Sequence, residues 1–167
     1  MRGREQLGER ARHLEQFITG YARFAKLPAP RVEDVAWPAL VERLRGQLAF
    51  AVDGELPVAT ARFDPGQVEQ AVVNLLANAH ESGSPADEVR LAVRKLASAV
   101  AIEVADRGSG MTEAVLANAL LPFYSTKRGG TGLGLALVRE IAEAHGGRVA
   151  VANRVGGGLT VTVTLPQ

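Results

Sequence analysis

Two β-rich runs, EVRLAVRKL (88 to 96) and AVAIEVAD (99 to 106), stand only two residues apart. Strands so close in sequence can pair only as an antiparallel hairpin, because a parallel pair needs a crossover of a dozen or more residues. The last segment, RVAVANRVGGGLTVTVTL, alternates apolar and polar residues and closes the chain as a second hairpin. Amphipathic helices are expected around these strands. Pro38 to Leu48 sets Leu40, Val41, Leu44 and Leu48 on one side, with Pro38 suited to a first turn. Asp64 is the N-cap of a helix that runs from Pro65 to about Ser82. A further helix runs from about Gly132 to Ala144 and stops at HGG. LPVATARF (56 to 63) reads as another strand, and residues 107 to 130 as irregular, with one short helix near Glu113 to Leu120. The expected fold is therefore α+β, a two-layer α/β sandwich with helices on one face of a mostly antiparallel sheet.

The N-terminus adds a helical stub. Over residues 4 to 27, Leu7, Ala11, Leu14, Ile18, Tyr21 and Ala25 alternate four and three apart, and Phe17 and Phe24 widen the stripe. This seam spans about three heptads, marginal alone and expected to pair with other helices. Pro28 and Pro30 end it. The organisation is read as residues 1–30, the end of a pairing helix and its linker, and residues 31–167, the globular domain. A net charge of +1 supplies no electrostatic reason for nucleic acid, and the absence of cysteine excludes disulfides and thiolate metal sites. No apolar run approaches the roughly 20 residues that span a bilayer.

GGTGLGLAL (129 to 137) carries four glycines in six residues, a density that brings backbone close to a ligand, often phosphate. It is no Walker A loop: Gly129 and Gly134 have the spacing, but Leu135 and Ala136 stand where Lys and Ser/Thr are needed. Nor is it a dinucleotide fingerprint, since the third glycine position is Leu135 or Leu137 and no buried strand precedes it.

On the helix DPGQVEQAVVNLLANAHES, Gln70, Asn74, Asn78 and Glu81 recur at spacings of four, four and three. They form one narrow polar stripe opposite Val68, Ala71, Val72, Leu75, Leu76 and Ala79. Asparagine is a mediocre helix former, so two of them mid-helix suggest a use for their oxygens, such as a hard cation like Mg2+. A solvated polar face would look the same. ADRGSGM puts Asp106 at a strand end before two glycines, where its carboxylate could accept from a buried amine. An ordinary Asp-Gly turn has the same composition. RVGGGLT (154 to 160) reads as a plain hairpin loop.

Taken in order, N-L-L-A-N-A (74 to 79), D-R-G-S-G (106 to 110), P-F-Y-S-T-K (122 to 127) and G-T-G-L-G-L (130 to 135) resemble the ATP-binding catalytic domain of two-component sensor histidine kinases. That superfamily also holds DNA gyrase, the ninety-kilodalton chaperones and mismatch-repair ATPases. The resemblance covers roughly residues 34 to 166. FITGYARFAKLPAPR also resembles the end of the second dimerisation helix in nitrogen-regulation sensors.

The resemblance implies a Bergerat-type ATP-binding fold, with ATP and Mg2+ as cofactors. Asn78 would be the Mg2+ ligand, with Asn74 a neighbour near the phosphates. Asp106 would accept from the adenine amine, with Gly108 and Gly110 giving clearance. Lys127, helped by Arg128, would neutralise the γ-phosphate. Phe123, Thr126, Thr131 and Leu133 would line the nucleotide under a lid, and Gly130, Gly132 and Gly134 would hinge it and present a helix N-terminus to phosphate. Related chaperone ATPases place a glutamate base four residues before the magnesium asparagine. Asn74 stands there instead, and an amide is no useful base, so the expectation is transfer to a protein histidine with slow hydrolysis. An ATP-hydrolysing switch and a nucleotide-free scaffold are the alternatives. The missing base speaks against the first, and the intact Asn78, Asp106 and glycine boxes against the second.

Glu81 departs from the pattern, because many such kinases carry Lys or Arg there. No H-E-[IL]-x-N/R-P acceptor segment occurs, and His13 lacks the following proline. The chain is expected to be a piece that begins late in the second dimerisation helix. Its partners would be an upstream acceptor-histidine dimerisation domain and a downstream response regulator. The full-length protein would be a homodimer with this domain in the cytoplasm, with or without a membrane anchor, while for this piece weak homodimerisation and a monomer are both open. His80 is expected at the surface, and His145 at a helix end where a partly charged imidazole suits the dipole.

Overall fold

The computed structural model describes residues 2–127 and 130–167, with backbone alone for residues 2–7 and Arg23. In chain order the elements are helix α1 (Arg2–Ala25), strand β1 (Glu33–Val35), α2 (Trp37–Arg45), β2 (Ala51–Val52), β3 (Ala61–Phe63), α3 (Pro65–Glu81), β4 (Arg90–Lys95) and β5 (Ala99–Ala105). There follow α4 (Glu113–Asn118), α5 (Gly134–Ala144), β6 (Arg148–Asn153) and β7 (Leu159–Pro166). The main sheet has the order β2-β4-β5-β7-β6. Both expected hairpins form, β4 against β5 and β6 against β7, and β5 pairs with β7 antiparallel between them. Period-two alternation then decides the layers. Leu91, Val93, Val100, Ile102, Val104, Val161, Val163 and Leu165 point into one core and are buried under α3 and α5. The other face keeps Arg90 and Arg94, the latter paired with Glu103 at 2.7 Å.

Helix α3 follows its sequence signals closely. The Asp64 carboxylate caps it by accepting from the Gln67 amide at 3.0 Å, and Pro65 occupies the first turn. Val68, Ala71, Val72, Leu75, Leu76 and Ala79 are all buried, which makes α3 the central strut of the helical layer. Trp37 opens α2 and packs on Phe63 with ring centroids 5.4 Å apart.

Two short strands were not expected. The run LPVATARF keeps only Ala61–Phe63 as strand, and this leaves the main sheet to pair with β1 as a separate two-stranded ribbon. Pro57 cannot donate a ladder bond, and Val58 is fully exposed, so the first half of that run has no neighbour. At the sheet edge, β2 pairs parallel to β4 through two residues.

His145 has the structural role expected of it. Its Nε2 accepts the Asp64 amide at 3.0 Å, and with that bond made its Nδ1 donates to the Ile141 carbonyl at 2.7 Å. One imidazole thus ties the end of α5 to the start of α3. Asp64 itself is subject to opposing effects. Burial alone would raise its pKa, but the amides of Gln67, Arg31 and Gly66 donate to the carboxylate, and with His145 they bring it below the usual value. A depressed folded pKa contributes stability above the unfolded value, near 3.9, and loses it as pH falls through the folded value. Asparagine caps about as well as aspartate and does not titrate. Thermal unfolding from pH 6 down to about 2 is therefore expected to show wild type losing stability faster than Asp64→Asn in the acid range. A difference between the two that did not change with pH would contradict this.

Candidate nucleotide site

The polar stripe of α3 faces the start of α5. A side-chain carbon placed on Gly134 would lie 3.6 Å from Asn78 Nδ2 and 3.9 Å from its Oδ1. The N-terminus of α5, with its unpaired amides, therefore meets the carboxamide of the second stripe asparagine. Asn74 stands one turn earlier on α3, and both asparagines are half-buried. One turn later, Glu81 Oε2 pairs with Lys127 Nζ at 2.8 Å. The NLLANA, STK and GTGLGL motifs thus converge on one flank of α3.

The Asp-Gly loop joins this group at the end of α3. Asp106 is buried, one of two buried polar residues among those described. Its Oδ1 accepts from the Gly108 amide at 2.8 Å and the Leu159 amide at 3.2 Å, while Oδ2 has no partner among the described residues. Gly108 presses on Ser82, the C-cap of α3, where any side chain would collide with the Ser82 hydroxyl. Gly110 adopts φ 67° and backs onto Asn153. Both glycines therefore have protein neighbours that require them.

Residues 122–127 and 130–133 fold partly towards α1. Phe123 has φ 63°, unusual for a bulky residue, and lies against Phe17 and Tyr21 with centroids 5.8 and 6.2 Å away. Gly132, at φ 69°, sits on the Phe123 backbone with no room for a side chain. Gly130 packs on Ser125 and Lys127. Thr131 Oγ1 accepts from the Leu133 amide at 3.3 Å, and Leu133 is buried close to Gly20 of α1. Thr126 is exposed. Phe123 and Leu133 are thus directed to α1, apart from the Asn78–Gly134 contact. Arg128 and Gly129 lie outside the described residues. His80 binds the Ala49 carbonyl at 2.7 Å, away from the stripe.

Sequence reasoning missed the wall behind Asp106. The 154 to 160 loop is more than a hairpin turn. Arg154 donates to the Asp106 carbonyl at 2.8 Å, and Arg107 donates to the carbonyls of Val155 and Gly157. Asn153 clamps Met111, accepting from its amide at 2.8 Å and donating to its carbonyl at 2.6 Å. Gly156, Gly157 and Gly158 all have positive φ, a run longer than a two-residue hairpin turn needs, and that was the available signal.

This set of groups suits a nucleoside polyphosphate. The unpartnered oxygen of the largely buried Asp106 keeps access to solvent and can accept from a base amine, and an open helix N-terminus can receive phosphate. Among the described residues no cluster of three His, Cys, Asp or Glu exists, so a metal here would rest on few protein oxygens plus phosphate, as Mg2+ does.

Known proteins share this sequence pattern and fold. Residues 63–167 match the family model described as histidine kinase-, DNA gyrase B-, and HSP90-like ATPase. The C4-dicarboxylate transport sensor protein DctS of Rhodobacter capsulatus is 35% identical over 97% of this chain and 27% of its own length. The nitrogen regulation protein NtrY of Azorhizobium caulinodans is 31% identical over 96% of this chain and 22% of its own length. The chain thus spans about a quarter of the curated relatives it matches. Full-length ShkA in complex with AMPPNP superimposes with a TM-score of 0.77 at 26% identity, over 97% of this chain and 37% of that one. The nucleotide-free catalytic domain of histidine kinase ThkA shares the fold at a TM-score of 0.70 and 22% identity, over 81% of this chain and 97% of that one. With motif order, fold and family model in agreement, the chain belongs to the histidine kinase-, DNA gyrase B- and HSP90-like ATPase family, in the form of the Bergerat-fold ATP-binding catalytic domain of sensor histidine kinases.

Proposed function

We propose that this domain binds Mg·ATP between α3 and α5 and delivers the γ-phosphoryl group to a histidine on a dimerisation helix of the full-length protein. The carrying observation is the meeting of Asn78 with the α5 N-terminus at Gly134, with Lys127 one helical turn away on Glu81. In this reading Asp106 Oδ2 accepts from the adenine amine, and Asn78 offers its oxygen to Mg2+, which would offset phosphate charge. Gly130, Thr131, Gly132 and Gly134 give the phosphates a path to backbone amides, and Thr126 and Lys127 approach from the lid. Gly108 and Gly110 keep the loop close under the base. Phe123 and Leu133 position the lid from the α1 side. Phosphoryl transfer rests mainly on positioning and charge neutralisation, which these groups supply. Asn74 withholds a base from water.

Residues 1–30 then act as the end of a dimerisation helix and its linker, and residues 31–167 as the catalytic domain. Leu14, Ile18 and Tyr21 are exposed on α1, which suits pairing in a homodimer of the longer protein. A response regulator would take the phosphoryl group onward. No helix among the described residues is long and apolar enough to cross a membrane. Incubation with γ-labelled ATP is expected to show slow turnover and no acid-labile phosphate on the chain, His13 included. Rapid multiple-turnover hydrolysis, or label on His13, would contradict the proposal.

A further inference from the structure

The charge of Glu81 is opposite to what a phosphate site should favour, and its side chain is already engaged. Glu81 Oε2 holds Lys127 Nζ at 2.8 Å, with both side chains substantially exposed. Glu81 lies three residues after Asn78 on the same flank of α3, and Lys127 comes from the segment that leads into the glycine run. A carboxylate therefore occupies the ammonium group that a terminal phosphate would otherwise meet. No second cation is seen on Glu81 among the described residues.

We infer that Glu81 competes with the nucleotide's terminal phosphate for Lys127 and so makes the site discriminate Mg·ATP from metal-free ATP. This rests on the ATP-site reading above. Metal-free ATP carries its full negative charge to the lid and needs Lys127, so binding must break the Glu81 pair or bring phosphate beside an unpaired carboxylate. Mg2+ on the phosphates cancels much of that charge. Lys127 can then be shared between Glu81 and the phosphates at little cost to binding. Glu81 is a specificity-determining residue acting through Lys127. It contacts no reacting atom.

The size of the effect follows from the pair. An exposed ion pair of this kind is worth up to about fivefold in an equilibrium. Relieving the competition should therefore change affinity for one charge form of the ligand by that much.

Calorimetric titration with ATP in EDTA, and with ATP in excess Mg2+, tests this on wild type, Glu81→Gln, Lys127→Ala and the double variant. Glu81→Gln is expected to tighten metal-free ATP about threefold to fivefold and to leave Mg·ATP within about twofold. With Lys127→Ala already present, Glu81→Gln should retain only the weak direct repulsion between carboxylate and phosphate, less than about twofold on metal-free ATP. An equal change in both forms, no change, or an undiminished effect without Lys127 would overturn the inference. Asp106→Asn separates the two levels of the account. If it weakens both ligand forms while Glu81→Gln moves neither, only the Glu81 inference fails. If wild type binds neither form, the ATP-site reading fails and the Glu81 inference with it.

Discussion

Gly158→Ala is expected to destabilise the chain by about 3–5 kcal/mol, the largest effect of any single methyl group added near the site. Gly158 has φ 97°, where a side chain is strained in itself. The added carbon would also run into the carbonyl of Asp106 and lie 2.8 Å from the Arg107 Cα. Those neighbours are backbone held in the β5–β7 register, so no flexible side chain can move aside. Gly156→Ala is the internal control. Its φ is 82°, but the nearest atom to a new side chain is the Arg107 guanidinium nitrogen at 3.6 Å. Only the conformational cost remains there, about 1 kcal/mol. Denaturant unfolding of the two variants should differ by at least about 2 kcal/mol. Equal losses would show that the loop is not packed on Asp106.

Asn74→Glu is expected to raise multiple-turnover ATP hydrolysis by at least about tenfold, and by up to a hundredfold with favourable placement. Position 74 lies one turn before Asn78 on the same stripe, about 6 Å along the helix axis, a distance one water can bridge. A carboxylate there could take a proton from attacking water, and the native amide cannot. Asn74→Gln keeps the amide and should leave hydrolysis at the wild-type level. Unchanged turnover in the glutamate variant, with nucleotide affinity intact, would remove the chemical argument that position 74 protects ATP from water.

Local signals carried much of this account. Helix α3 was legible because its cap, first-turn proline and apolar spacing agreed, and the hairpins because alternation and short connections left one pairing. The four motifs were each ambiguous alone and specific in sequence order. What escaped was set by partners distant in the chain. Strand β1 has three residues and exists only because Ala61–Phe63 lies beside it. No local pattern announces that Tyr21, read as a seam position, and Phe17, read as widening the stripe, would meet Phe123 about a hundred residues later. His145 was legible as a helix-end residue, but its bond to the Asp64 amide, 81 residues away, has no local signal. The three glycines at 156 to 158 looked like a loose turn until Asp106 appeared beneath them.

The central claim is that Asp106 and Asn78 hold the two ends of one Mg·ATP molecule. Calorimetric titration of ATP, with and without Mg2+, on wild type, Asp106→Asn and Asn78→Ala tests it most directly. Asparagine at 106 keeps an oxygen for the Gly108 and Leu159 amides, so the fold should persist, but it can present an amide donor where adenine needs an acceptor. The account predicts metal-assisted binding to wild type. It predicts a loss of about tenfold to a hundredfold in Asp106→Asn in both conditions, and a loss of the Mg2+ assistance specifically in Asn78→Ala. Undiminished, equally metal-dependent binding in both variants, or no binding to the folded wild-type chain, would contradict it.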